Sequence, residues 1–162
     1  MKSARSLVRR GFSLIELVIV IVIIGIIAAI AIPRMSRVAE GANDSALKAN
    51  LNVLRSAIDL YHTEHEGLYP SEADVVNQLT TYTNIGGTSQ ASADSTHIYG
   101  PYLSVVPPLP VNCAVKGQTG IANATGATIG WIYDLAADGR SYTIKANTTT
   151  EADAKGVAYN TY

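Results

Sequence analysis

The chain has 162 residues, 12 basic against 13 acidic for a formal charge of −1, and one cysteine. Beyond one membrane segment that length leaves room for a single small domain. A lone Cys113 excludes an internal disulfide, and the absence of a basic patch means that nucleic acid is not an expected partner.

Four basic residues, Lys2, Arg5, Arg9 and Arg10, open the chain, and Gly11 to Ile32 follows as GFSLIELVIVIVIIGIIAAIAI. Leu14 to Ile32 is nineteen residues whose only charge is Glu16. About 20 apolar residues cross a bilayer as a helix, so this stretch spans one. The basic cluster before it outweighs Arg34 and Arg37 behind it, which places the N-terminus on the cytoplasmic side. Valine and isoleucine favour strands, but the length of the run decides for helix, and as a strand it would be an aggregation hazard. A secretory signal peptide would offer Ala29-Ile30-Ala31 for cleavage, yet its apolar core is ordinarily ~7–15 residues and carries no acid. Glu16 therefore needs a reason, because charges at membrane depth are functional by default.

Gly11-Phe12-Ser13-Leu14-Ile15-Glu16, behind a basic leader, resembles the processing motif of type IV prepilins and type II secretion pseudopilins. The resemblance implies cleavage after Gly11 by a membrane-embedded prepilin peptidase, which also N-methylates the new N-terminal Phe12. Removing 11 of 162 residues leaves 151, and taking four basic residues from twelve leaves eight against 13 acidic, about −5. Glu16 then stands at the fifth mature position and Pro33 at the twenty-second, where the family has its glutamate and often a helix-bending proline. Ser13 replaces the commoner threonine.

Glu16 and the amine of Phe12 would be opposite charges in an apolar segment, each costly alone and less so paired. They meet at i, i+4 within one helix or between neighbouring subunits, where the pair sets axial register. Gly25 and Pro33 are the weak points of the helix, since glycine costs about 1 kcal/mol and proline about 3 relative to alanine. A kink is expected between them in the isolated subunit, and loss of helix there in the filament.

After Pro33 the helix continues as an amphipathic one. Leu47, Leu51, Leu54, Ile58 and Tyr61 step by four and three, widened by Val53, Ala57 and Leu60. Asn43, Asp44, Lys48, Asn52, Arg55 and Asp59 form the polar side, and Gly67 is the predicted C-terminal cap. From Phe12 to Glu66 the helix would be about 80 Å long, too long to bury itself in so small a head.

Ser71 with Asp74 has capping-box spacing and opens a short helix with Val75, Val76 and Leu79 inward. Residues 84–97 read as a flexible loop, Tyr102–Val106 as a short strand, and 117–130 as loop. Trp131–Leu135 and Ser141–Ala146 read as two strands around the turn Ala136-Ala137-Asp138-Gly139. The fold class is therefore α+β: one long N-terminal helix on a small antiparallel sheet, which the resemblance makes a pilin-like ladle. The division is a leader at 1–11, a transmembrane and assembly helix at 12–33, and a head at 34–162 that includes the second half of the helix. The head resembles the major pseudopilin in Gly67-Leu68-Tyr69-Pro70 and in Tyr102-Leu103 followed by Pro107. It lacks that family's Asp-Pro-Trp-Gly motif and a recognisable calcium loop.

Other candidates read as ordinary. Asp134, Asp138, Glu151 and Asp153 are possible calcium ligands but match no loop spacing, so no cofactor or metal is expected. His62 and His65 share a helix face without the zinc-protease pattern and read as a solvated helix end. Asn43, Asn123 and Asn147 begin glycosylation-acceptor triplets. Cys113 reads as a small buried apolar residue, and the nine tyrosines as core and interface filling. No nucleophile–base constellation is visible, so the chain is not read as an enzyme. The function read from the sequence is a filament subunit, first a type II secretion pseudopilin, with a type IV pilus pilin and a signal-anchored periplasmic protein as alternatives. Its partners would be further copies, the prepilin peptidase, an inner-membrane assembly platform and the bilayer. The chain would sit in the bacterial inner membrane with its head in the periplasm, and the filament would be periplasmic or at the cell surface.

Overall fold

A computed structural model describes residues 12–153 and 155–162. Contacts divide the chain into two units, Met1–Val38 and Ala39–Tyr162. Helix α1, Leu14–Glu64, is 51 residues long. Helix α2 is Val75–Thr80, and five short strands follow: β1 Tyr82–Thr83, β2 Ser89–Gln90, β3 Gly120–Ala122, β4 Ile129–Leu135 and β5 Tyr142–Ala146. A 3-10 turn at Tyr159–Thr161 closes the order. The class is α+β.

Within Ala39–Tyr162 the predicted stripe is the core. Leu47, Leu51, Leu54, Ile58 and Tyr61 are all buried, and they pack with Val75 and Leu79 of α2, with Leu109 and Val111, and with Trp131, Tyr133 and Ile144 of the sheet. Spacing by three and four puts one helix face on the sheet. Val53 and Leu60 do not widen that stripe; they are exposed. Asp44, expected on the polar side, is buried and accepts a 2.6 Å hydrogen bond from the Tyr159 hydroxyl.

The end of α1 is a left-handed turn over two residues, Glu66 at φ 55° and Gly67 at φ 83°. The Gly67 N–H reaches back to the His62 carbonyl at 2.9 Å, the long bond of a Schellman ending. His65 in this turn is not solvated. Its ring is fully buried and stacks on Tyr61 with centroids 3.7 Å apart. Nδ1 lies 2.9 Å from the Tyr61 carbonyl and Nε2 3.0 Å from the Thr83 hydroxyl. Burying a polar ring requires such partners, and Thr83 is 18 residues away in sequence, so helical spacing alone gave no sign of it. His62 stacks on Tyr69, and Pro70 is buried with its carbonyl accepting the Tyr133 hydroxyl at 2.8 Å.

β4 and β5 are the predicted antiparallel pair, with Trp131 opposite Ala146 and Tyr133 opposite Ile144. Their turn forms as expected, the Asp138 carboxylate accepting the Arg140 N–H at 3.0 Å. β3 joins on the other side of β4 in parallel, so this sheet is mixed, and β1–β2 is a separate antiparallel pair. β3 lies in a segment that reads as loop because it is rich in glycine. The glycines serve close approach: a Cβ at Gly130 would come within 2.2 Å of the Gln118 carbonyl oxygen.

Three further expectations differ. Residues 84–97 contain β2, which pairs with β1. Tyr102–Val106 is not a strand; its Tyr102 and Leu103 N–H groups both donate to the Leu79 carbonyl, and Leu103 and Val106 plug the core from irregular chain. The capping box does not form either. Ser71 donates its N–H to Gln78 Oε1, while Asp74 accepts from Asn77 and Ser89 side chains.

Candidate assembly interface

α1 begins with its own cap. Ser13 stands just before the first helical residue, and its N–H donates to Glu16 Oε2 at 2.8 Å. This is the carboxylate half of a capping box, which satisfies one N–H that a helix start leaves without a partner. The Ser-x-x-Glu spacing is visible in the sequence, although that reading gave Glu16 only the Phe12 amine. Gly11, the leader side of the cleavage site, lies outside the described residues, as do Lys2, Arg5, Arg9 and Arg10.

From Leu14 to Ile32 the helix is apolar and none of that window is buried. Fifteen large apolar residues from Phe12 to Ile32 are exposed, Phe12 at 86%. At about 1.5–3 kcal/mol for each such side chain, covering them is worth on the order of tens of kcal/mol. Lipid or other helices must supply that cover. Helix α1 runs through both Gly25 and Pro33. Among the described residues a Cβ on Gly25 would meet nothing within 4 Å, so their packing does not demand glycine there.

A second surface lies on the part of α1 within Ala39–Tyr162. Ala39, Ala42, Ala46, Ala49, Val53, Ser56 and Leu60 recur at alternating intervals of three and four, and all but the half-exposed Ala46 are exposed. At 100° per residue this line runs on the side away from the core stripe. Its far end opens into a groove of about 360 Å³ where Val53 and Leu60 meet Tyr102 and Leu103. Small residues at such spacing admit a neighbouring helix closely. The sequence reading missed this seam because alanine and serine carry little hydrophobic signal, and because it assigned Val53 and Leu60 to the core.

The remaining candidates are spread apart. Among the described residues no three His, Cys, Asp or Glu side chains form a metal-holding group. Asp138 caps its turn, Glu151 accepts the Thr149 and Thr150 N–H groups, and Asp153 accepts those of Lys155 and Val157 together with the Tyr162 hydroxyl. The Tyr162 hydroxyl, ahead of the backbone donors, holds the Asp153 carboxyl below its ordinary range. Asp134 stands apart from these three, on β4. Asn147 is buried and donates to the Ile129 carbonyl at 2.7 Å, which makes it no acceptor for a glycan. Cys113 is half-buried, and burial pushes its thiol up.

Residues 7–32 match the family model described as the prokaryotic N-terminal methylation motif. That is the prepilin motif of type IV pilins and pseudopilins, and it implies processing by prepilin peptidase and assembly into pilus-type filaments. It points to a structural subunit, and with the apolar helix it is consistent with anchoring in the inner membrane. No curated protein and no solved structure matches the chain.

Proposed function

We propose that the chain is a filament subunit, stored in the inner membrane as a single-pass protein and extracted into a helical bundle of its own kind. One observation carries this reading: a nineteen-residue apolar helix with none of its window buried begins two residues after Phe12, within the matched motif. Glu16, capped on Ser13 while the leader is attached, would exchange that partner for the charged Phe12 amine of its own or a neighbouring chain. The seam from Ala39 to Leu60 would carry the packing onward beyond lipid depth.

Within that class we favour a pseudopilin of a type II secretion system, supported by Gly67-Leu68-Tyr69-Pro70 and by Tyr102-Leu103 before Pro107. In this chain Gly67 to Pro70 follow the end of α1, with Tyr69 stacked on His62 and the Pro70 carbonyl accepting from Tyr133, while the Tyr102 and Leu103 N–H groups donate to the Leu79 carbonyl. Electron microscopy of cells overproducing the chain tests the reading. Fibres that contain the processed subunit are expected, and a processed chain that remains a membrane-tethered monomer would overturn it. Long surface fibres at native expression, with protein secretion intact after gene deletion, would replace the pseudopilin by a pilus pilin.

A further inference from the structure

Within Ala39–Tyr162, a cleft of about 480 Å³ is walled by the exit of β3, by β4 and β5, and by the closing turn. Asp134 pairs with Thr143 and Ile132 with Lys145, so Asp134 and Lys145 are diagonal neighbours on one sheet face. Among the described residues neither side chain has a hydrogen-bond or ion-pair partner, although both line the cleft. Thr125 and Asn160, also in its wall, are likewise without side-chain partners. Asp138, Glu151 and Asp153, by contrast, are taken up by nearby donors.

A fifth group is more telling. Thr148 lines this cleft, and its hydroxyl oxygen is buried with no partner. Buried polar atoms are nearly always satisfied, and an orphan calls for an explanation. Thr148 also lines an adjoining cleft of about 320 Å³ with the apolar Val115 and Ala127. The two clefts share Thr125, Asn147 and Thr148.

These groups select their ligand by chemistry. A simple anion would face Asp134, and a simple cation Lys145. An apolar ligand would strip water from both charges without replacing it. A zwitterion would answer the two charges, but its carboxylate only accepts and its ammonium only donates. A neutral polyol donates to the carboxylate, accepts from the ammonium, and does both with threonine and asparagine. We propose that this cleft binds a carbohydrate, with its hydroxyls on Asp134, Lys145, Thr125 and Asn160 and an apolar ring face toward Val115 and Ala127. Thr148 gains its missing partner after rotation of its side chain.

Saturation-transfer NMR tests this on the full chain in lauryldimethylamine oxide, a detergent that contains no sugar. The probes are methyl β-D-galactopyranoside, methyl α-D-glucopyranoside and N-acetylglucosamine, each alone, with glycine, acetate and putrescine as charged comparators. At least one saccharide is expected to bind. Its affinity should fall roughly tenfold or more in Asp134→Ala and in Lys145→Ala, the loss of one hydrogen bond to a charge. Asp138→Ala, in the exposed turn, should bind as before. Thr148→Val removes a hydroxyl that the free protein leaves unpaired, so it should weaken binding without lowering the melting temperature. Failure of all three saccharides to bind, preference for a charged comparator, or unchanged affinity in Asp134→Ala and Lys145→Ala would each overturn the proposal.

Discussion

Tyr159 donates its hydroxyl to the buried Asp44 at 2.6 Å, and 115 residues separate the two in sequence. The bond ties the closing turn to α1 at the level where the core stripe begins. Burial and the hydrogen bond to Asp44 push the Tyr159 phenol upward from its ordinary value. Tyr159→Phe keeps the ring and removes the bond, so it should lower stability by about 1.5–3 kcal/mol, the usual worth of a hydrogen bond to a charge. Denaturant unfolding of the full chain in detergent measures this; an unchanged midpoint would show that the bond contributes nothing.

Alkaline pH should loosen the core. Desolvation raises the Tyr61 phenol from an ordinary 10.0 to about 12, and it pushes Tyr102, Tyr133 and Tyr142 up as well. The folded state holds these protons more tightly than the unfolded one, so their contribution is complete below pH 10. It is lost as pH rises through the folded values, beginning between about 10 and 12 for Tyr61. Melting temperature against pH should be level from neutral pH to about pH 10 and fall steeply above it. A level profile up to pH 12 would contradict the burial of these phenols.

Processing should leave Phe12 as the mature N-terminus, carrying one N-methyl group, as the motif at 7–32 implies. Mass spectrometry of the purified chain decides. A mature start at Ile32, after Ala31, would restore the signal-peptide reading.

Glu16 has two roles that substitution separates. Glutamine serves in a capping box as glutamate does, so Glu16→Gln keeps the bond to the Ser13 N–H and discards the charge. Both Glu16→Gln and Glu16→Ala should insert and lose their leader, and both should assemble poorly. Normal filament from the glutamine variant would mean that the cap, and not charge pairing, is what assembly needs.

The seam and the core stripe should respond oppositely to substitution. Leu54→Ala opens a cavity in the fully buried stripe and should cost about 2–5 kcal/mol. Val53→Asp with Leu60→Asp alters exposed positions, so the melting temperature should move little while filament yield collapses. Unimpaired filaments from the double variant would exclude the seam from assembly.

The sequence was most legible where one residue type repeats at a fixed spacing. The apolar run at Leu14–Ile32, the stripe from Leu47 to Tyr61 and the pair β4–β5 all announce themselves in that way, and the structure has all three. What stayed hidden depends on partners far along the chain. His65 is buried because Thr83 and the Tyr61 ring receive it, and Asp44 because Tyr159 reaches it. β3 was obscured by its glycines, which signal a turn in sequence and close contact of backbones in space. The seam was obscured for the opposite reason: alanine lies where a neighbour would fit, and among the described residues the seam is left largely exposed.

Asp94 organises the loop after β2. Its carboxylate takes the N–H groups of Thr96 and His97 at 2.7 Å each, and these bonds hold it well below the usual carboxylate range. Residues 91–96 are exposed throughout and lie apart from the core cluster. A segment fastened at one end and free of packing duties tolerates insertion better than any element around it. A short epitope placed after Ala91 would therefore mark individual protomers along a fibre, leaving the helix that polymerises and the sheet that packs on it untouched.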